Sequence, residues 1–280
     1  MASISDSNAV LEKKRLLSQH HAVLTLIHGQ VVKPTVTRYK WLDLCCGQGQ
    51  IIVNLEDNFN VTLREKIEYH IQDINEEYLR VTQKKAESLS LNKVQCFTTD
   101  IYSFPQIIPL SSKYDFITLI NAVHEISPIF FPVLFLEALL RLNQKGTLYV
   151  YDMETIKPPE LGAVSWTREE VQEIINSILS FIAAENYEPN VSRWNHSSCN
   201  AWSFEVQKEF VISDEEILKI RDAILANSDK KIKELLNRKK GNCEKALESY
   251  LKYGTETAED EEKKRNLLYD FYSLNRIINL

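Results

Sequence analysis

The stretch Trp41-Leu42-Asp43-Leu44-Cys45-Cys46-Gly47-Gln48-Gly49-Gln50 is the one best arranged for chemistry: an apolar run ends in an acidic side chain and then turns through two glycines. At a strand-to-helix turn a glycine presents no side chain to keep a ligand off the backbone, and open sheets hold ligands beyond the carboxyl ends of their strands. Such a turn lines a pocket of nucleotide type. Two more carboxylates stand at the ends of apolar runs, Asp73 after Glu68–Gln72 and Asp100 after Val94–Thr98. A carboxylate accepts two hydrogen bonds at once, which suits the vicinal hydroxyls of a ribose. Asp73 also lies near the roughly 20-residue interval from a glycine turn at which that contact is met. A fourth apolar run, Tyr114–Ile120, leads into Asn121, His124 and Glu125. A histidine there could take a proton from a hydroxyl or amine near neutral pH, and a neighbouring carboxylate would raise its basicity. Plainer uses compete: the turn could only cap a helix, Asp73 or Asn75 could be an N-cap, and His124 could pack or cap.

These residues need a scaffold that brings strand ends together. Short apolar runs at Tyr39–Leu44, Glu68–Gln72, Val94–Thr98, Tyr114–Ile120 and Thr147–Tyr151 predict strands, and the segments Ile51–Glu56, Glu76–Leu89 and Phe130–Leu142 predict helices between them. Parallel neighbours need a crossover, usually a helix, so the rhythm implies an α/β fold with a doubly wound, mostly parallel sheet. Two further strands within Asn190–Phe210 would close it as an antiparallel hairpin, making seven strands with flanking helices. An amphipathic helix over Asn8–Ile27, stopped by Gly29 and Pro34, precedes the first strand and is placed to act as a lid. After the Pro158-Pro159 loop, Thr167 with Glu170 forms a capping box for a helix to about Ala184. Ser213 with Glu216 repeats that signature and opens a charged C-terminal module of two or three helices. The expected organisation is an N-terminal helical segment (1–37), a catalytic domain (38–212) and a helical module (213–280).

The glycine turn resembles motif I of the class I, Rossmann-like S-adenosylmethionine-dependent methyltransferases, written Asp-Leu-Gly-Cys-Gly-x-Gly, with Asp43, Gly47 and Gly49 in register. Cys45 stands where the first glycine is usual, a substitution that matters if the position needs a positive φ. The resemblance implies S-adenosylmethionine as cofactor, with the backbone of Cys45, Gly47 and Gly49 along its methionine part and Asp43 toward its amino group, directly or through water. It further implies Asp73 and Ile74 at the ribose, Asp100 and Ile101 at the adenine, and Asn121 where sulfonium and acceptor meet. His124 and Glu125 are then the catalytic candidates, and Trp166, Trp194 and His196 the acceptor-side candidates, although tryptophans at element ends more often anchor packing. The resemblance covers Lys40–Asp152 well. The competing dinucleotide fingerprint wants a third glycine where Ile52 stands, which makes that reading the weaker.

Composition narrows the partners. With 33 basic and 39 acidic residues the formal net charge is −6, which disfavours capture of nucleic acid or an anionic membrane without excluding it. The run Lys230, Lys231, Lys233, Arg238, Lys239 and Lys240 contains Glu234 and reads as a solvated helix face before it reads as an RNA contact. Neither an Asn-Pro-Pro-Tyr nor an Asp-Pro-Pro-Tyr segment follows the fourth strand, which tilts the acceptor toward a small molecule or a protein. The five cysteines, with no C-x-x-C pair, suggest reduced thiols and no metal site; a cytoplasmic protein without a membrane span is expected. The apolar positions of the last helix, Leu267, Leu268, Phe271, Leu274, Ile277 and Ile278, are too many for a free tail and should pack on the domain or form a homodimer seam. Two other functions stay open: an enzyme that uses the same cofactor for another reaction, and a non-catalytic assembly subunit.

Overall fold

The computed structural model describes residues 18–156, 160–185, 187–189, 191–195, 200–254 and 257–279. The expected helix over Asn8–Ile27 therefore lies partly, and Pro158, Pro159, Asn190 and His196 wholly, outside the described residues. Seven strands form one sheet: β1 (Tyr39–Leu44), β2 (Ile67–Asp73), β3 (Asn92–Thr98), β4 (Tyr114–Ile120), β5 (Leu142–Met153), β6 (Ser192–Asn195) and β7 (Asn200–Gln207), in the order β3-β2-β1-β4-β5-β7-β6. Strands β1 to β5 pair in parallel and β6 with β7 antiparallel. The helices are α1 (Ser18–Val31), α2 (Leu55–Asn58), α3 (Val61–Arg64), α4 (Glu76–Ser88), α5 (Phe104–Ile107), α6 (Phe131–Leu140), α7 (Arg168–Ile182), α8 (Asp214–Tyr253) and α9 (Ala258–Ile278).

Several expectations need correction. Helix α1 runs through Gly29 to Val31, because a single glycine weakens a helix by only about 1 kcal/mol and the buried Ile27 and Val31 hold the last turns. The expected helix over Ile51–Glu56 is instead a 3-10 turn at Ile52–Asn54 followed by the single-turn α2 and α3. Strand β5 begins at Leu142 rather than Thr147, since Leu142 already pairs with Tyr114.

The chain divides into two compact units, the first comprising residues up to Ile120 with Leu136–Tyr151 and Glu205–Glu209, the second comprising Asn121–Phe135, Asp152–Phe204 and Phe210 onward. In the first, β2 is buried along its whole length and β1 nearly so, as expected of central strands covered on both faces. Trp41 ties β1 to its neighbours: its ring packs 4.5 Å from that of Tyr69, and its indole N–H donates to the Thr118 hydroxyl at 2.8 Å. Arg141 is fully buried and satisfied by the Glu137 carboxylate and the carbonyls of Ile108 and Pro105. In the second unit α7, α8 and α9 each start with a capping box, at Thr167/Glu170, Ser213/Glu216 and Thr257/Asp260. Two of these were legible as sequence signatures. Among the described residues after Ser213 there are two helices, and the basic run on α8 is matched by acids: Arg238 and Lys231 with Glu173, Lys239 with Glu170, Lys233 with Asp229.

Candidate functional site

In the first unit the turn after β1 has the backbone that a close-approaching ligand requires. Gly47 and Gly49 have φ of 54° and 76°, and Cys45 adopts 52°, so the non-glycine residue stands in the left-handed region the usual glycine would occupy freely. A Cβ on Gly49 would lie 2.9 Å from the Thr82 side chain, so α4 packs against the turn too closely for any larger residue. Thr82 also donates its hydroxyl to the Gly47 carbonyl at 3.0 Å. From β2, Gln72 reaches both ways: its side-chain oxygen accepts the Cys45 N–H at 3.1 Å and its amide donates to the Thr99 carbonyl at 2.6 Å. Neither Gln72 nor Thr82 was singled out from sequence. The only signal available for Gln72 was its place just before the acidic strand end.

The carboxylates are held by donors of this same unit. Asp43 is 1 % exposed, and its two oxygens accept from the Tyr69 hydroxyl at 2.8 Å and the Thr118 hydroxyl at 2.6 Å. Burial pushes its carboxyl up to about 6, the Thr118 and Tyr69 hydrogen bonds pulling the other way and Asp73 adding to the rise. Asp43 thus acts as a charge set behind the turn. Asp73 accepts the Gly47 N–H at 2.9 Å on one oxygen and the Asn75 N–H at 2.9 Å on the other, which clamps the turn in place. Capping of α4 falls to Asn75, which accepts from Glu77 and Tyr78. Beside Asp73, Ile74 is 68 % exposed, an apolar surface open at a polar strand end. Asp100 caps the 3-10 turn at Ile101–Ser103 through the Tyr102 N–H at 3.0 Å, and Ile101 is buried. Ile52, where a dinucleotide fold would want glycine, is fully buried core.

The second unit holds the other candidates. Asn121 follows β4 with a φ of 54°, and its buried side-chain oxygen has no hydrogen-bond partner among the described residues. A strained residue with an orphaned polar atom is a place where a ligand group would complete the bonding. His124 is 4 % exposed and doubly fixed by Asp152: the backbone N–H donates to one carboxylate oxygen at 2.8 Å and Nδ1 lies 2.7 Å from the other. Its Nε2 faces Glu125 at 3.7 Å and Glu160 at 3.9 Å. Burial lowers the imidazole, but the Asp152 hydrogen bond and charge outweigh it, with Glu125 and Glu160 adding, and the net position is raised to about 8. The neighbouring carboxylate expected to raise its basicity is therefore chiefly Asp152, with Glu125 a lesser contributor. Asp152 carries the same signal as the other acids, a carboxylate near the carboxyl end of a strand; Glu160 sits in a loop and carries none.

The tryptophans behave differently from ligand contacts. Trp166 is 2 % exposed and its carbonyl accepts the Trp202 indole N–H at 2.9 Å, so it anchors packing. Trp194, partly exposed on β6, donates to the Ser203 hydroxyl at 2.7 Å. Near Trp166, a cavity of about 250 Å³ has Val164, Thr167, Glu170, Lys239, Cys243 and Asp270 in its walls. Within it Lys239 is paired with Glu170 at 2.8 Å and lies 5.5 Å from the Trp166 ring centre. The backbone N–H of Val164 donates to the His124 carbonyl at 2.9 Å, so one wall of the cavity is bonded to the histidine's own backbone.

A family profile described as a methyltransferase domain matches residues 36–239 of this chain. Among solved structures, the chain is similar to the CurJ carbon methyltransferase, with 15% identity, a TM-score of 0.52, and 68% of this chain and 54% of that one covered. Magnesium protoporphyrin IX methyltransferase from Synechocystis PCC 6803 with bound SAM gives 12% identity and a TM-score of 0.47, covering 68% and 79% of the two chains. No curated protein sequence matches the chain. None of the described helices is long and apolar enough to cross a membrane.

Proposed function

The chain belongs to the methyltransferase-domain family and is an S-adenosylmethionine-dependent methyltransferase, and from that premise we propose that its acceptor is a small molecule methylated at a hydroxyl or amine. The observation that carries the proposal is the cavity of about 250 Å³ beside α7, tied to His124 through the Val164 N–H. Its size is near that of a pocket for a compact metabolite.

On this reading the turn at Cys45, Gly47 and Gly49 takes the methionine part of the cofactor, and Asp43 supplies a negative charge toward its amino group. Asp73 and Ile74 serve the ribose and Asp100 and Ile101 the adenine; in the second unit the Asn121 side-chain oxygen is left for a polar group of the bound ligand. The cofactor's sulfonium is already activated, so holding acceptor and methyl in line supplies much of the rate. Activation of the acceptor falls to His124, held by Asp152, with Glu125 as its neighbour. Trp166 shapes the cavity as packing, and Trp194 with His196 belongs to the acceptor side. The catalytic domain is 38–212, flanked by the segments 1–37 and 213–280. The protein works in the cytoplasm, and exposed apolar groups on the last helix, Tyr272 at 65% and Leu268 at 39%, provide a homodimer seam.

The test uses cofactor labelled on the methyl group, offered with cell extract separated into small-molecule, protein and RNA fractions. Label should pass to the small-molecule fraction. Cys243→Trp, which fills the cavity, should suppress that transfer while leaving cofactor affinity as it was. Label in protein or RNA alone would overturn the proposal.

A further inference from the structure

His124, Glu125 and Glu160 each bring one ligand-type atom to a common space, and these atoms all lie within 4.8 Å of one another. Nδ1 lies 2.7 Å from Asp152, and Nε2 faces the two glutamates at 3.7 and 3.9 Å across a space bordered by one nitrogen and two carboxylate oxygens. The ring is fixed in this direction because Asp152, itself 1 % exposed, holds Nδ1, the His124 N–H and the Met153 N–H together. A buried carboxylate fixing one ring nitrogen so that the other points into a polar gap is the arrangement by which metal-ligating histidines are oriented.

We propose that Nε2 of His124 and the carboxylates of Glu125 and Glu160 bind one divalent transition ion of the Mn²⁺ or Zn²⁺ kind, with Asp152 as the residue that orients the histidine. One imidazole and two carboxylates suit such ions, and three protein ligands leave coordination positions for an outside oxygen. The glutamate side chains are 58% and 54% exposed, and ligand atoms each about 2.0–2.2 Å from a common ion stand roughly 3–3.5 Å from one another, close to the separations already present. The inference rests on the methyltransferase reading: the ion is the means by which the acceptor's hydroxyl or amine is positioned and its proton loosened, which specifies how His124 activates it.

The experiment is calorimetric titration of the chelator-treated full chain with Mn²⁺ and, separately, Zn²⁺, with S-adenosylmethionine binding measured on the same samples. Wild type should take up about one ion per chain. Glu160→Gln, at an exposed loop position, should weaken that binding by at least tenfold, and Asp152→Asn by roughly 10- to 100-fold. Cofactor affinity should stay within a factor of about two in Glu160→Gln. Absence of binding for both ions, or binding that Glu160→Gln leaves unchanged, would overturn the metal site. If the cofactor binds normally in that case, the methyltransferase reading stands; failure of wild type to bind the cofactor would count against that reading instead.

Discussion

The glycine turn of the first unit and the histidine cluster of the second are both built from acidic groups, yet they are finished to different degrees. Around the turn every acid has found donors in the protein: Asp43 has Tyr69 and Thr118, Asp73 has two backbone N–H groups, and Asp100 has Tyr102. Those bonds set the backbone before any ligand arrives. Around His124 the groups stand farther apart. Nδ1 lies 2.7 Å from Asp152, while Nε2 faces the exposed Glu125 and Glu160 at 3.7 and 3.9 Å. A preformed cradle suits a ligand of fixed shape, and a half-open cluster suits groups that come and go during a reaction.

The two clusters should be separable by substitution. Replacing His124 with Ala should lower methyl transfer by roughly 10²–10⁴ and leave cofactor affinity within about twofold, read by labelled transfer and calorimetry. A matched loss of cofactor binding would mean that the clusters act as one. Next in size is Gly49→Ala, whose Cβ would meet Thr82 at 2.9 Å on a backbone of positive φ. It should cost about 2–4 kcal/mol of stability in urea melts and abolish measurable cofactor binding. Asp73→Ala frees the Gly47 and Asn75 N–H groups and should weaken S-adenosylmethionine binding by about 30- to 100-fold.

Asp43 gives the glycine turn a pH dependence of its own. Its carboxyl lies at about 6 in the folded protein against an ordinary 3.8, so between these values the folded state holds the proton the unfolded chain has released. Stability present below the lower value is lost as pH rises toward the upper one, and a two-unit shift corresponds to about 3 kcal/mol. Asp43→Asn should remove that loss in pH-dependent unfolding of the cofactor-free protein. A cation beside Asp43 favours its charged form, so cofactor affinity of the wild type should rise over the same window and that rise should vanish in Asp43→Asn. The smallest effect on transfer is expected of Glu125→Gln, which removes one of the carboxylates facing Nε2 of His124: a drop of about tenfold, in step with the loss of ion binding, and no change in the melt.

The part of this molecule that was legible in sequence is the part governed by local pattern. The glycine turn, the strand ends at Asp73 and Asp100, and the capping boxes at Thr167 and Ser213 depend on neighbours a few positions away, and types and spacing expose them. Asp152 and Glu160 matter because the fold brings them to His124 across 28 and 36 positions, and no periodicity announces a meeting of that kind. Helix α1 outran its glycine for a related reason: burial of Val31 outweighed a local stop signal. The short turns between Ile52 and Arg64 replace a predicted helix: the 3-10 turn passes straight into α2, which the extended backbone of Phe59 ends.

Cys45, held at a φ of 52°, also constrains what this sequence can become. Among L-residues that conformation is tolerated best by asparagine and aspartate and worst by β-branched side chains. From the present cysteine, then, a lineage can step to glycine with relief of strain, or to asparagine at little expense, while valine, isoleucine and threonine are closed to it. Random mutagenesis at this codon followed by selection for a folded product should recover that short alphabet, whatever the enzyme's substrate proves to be.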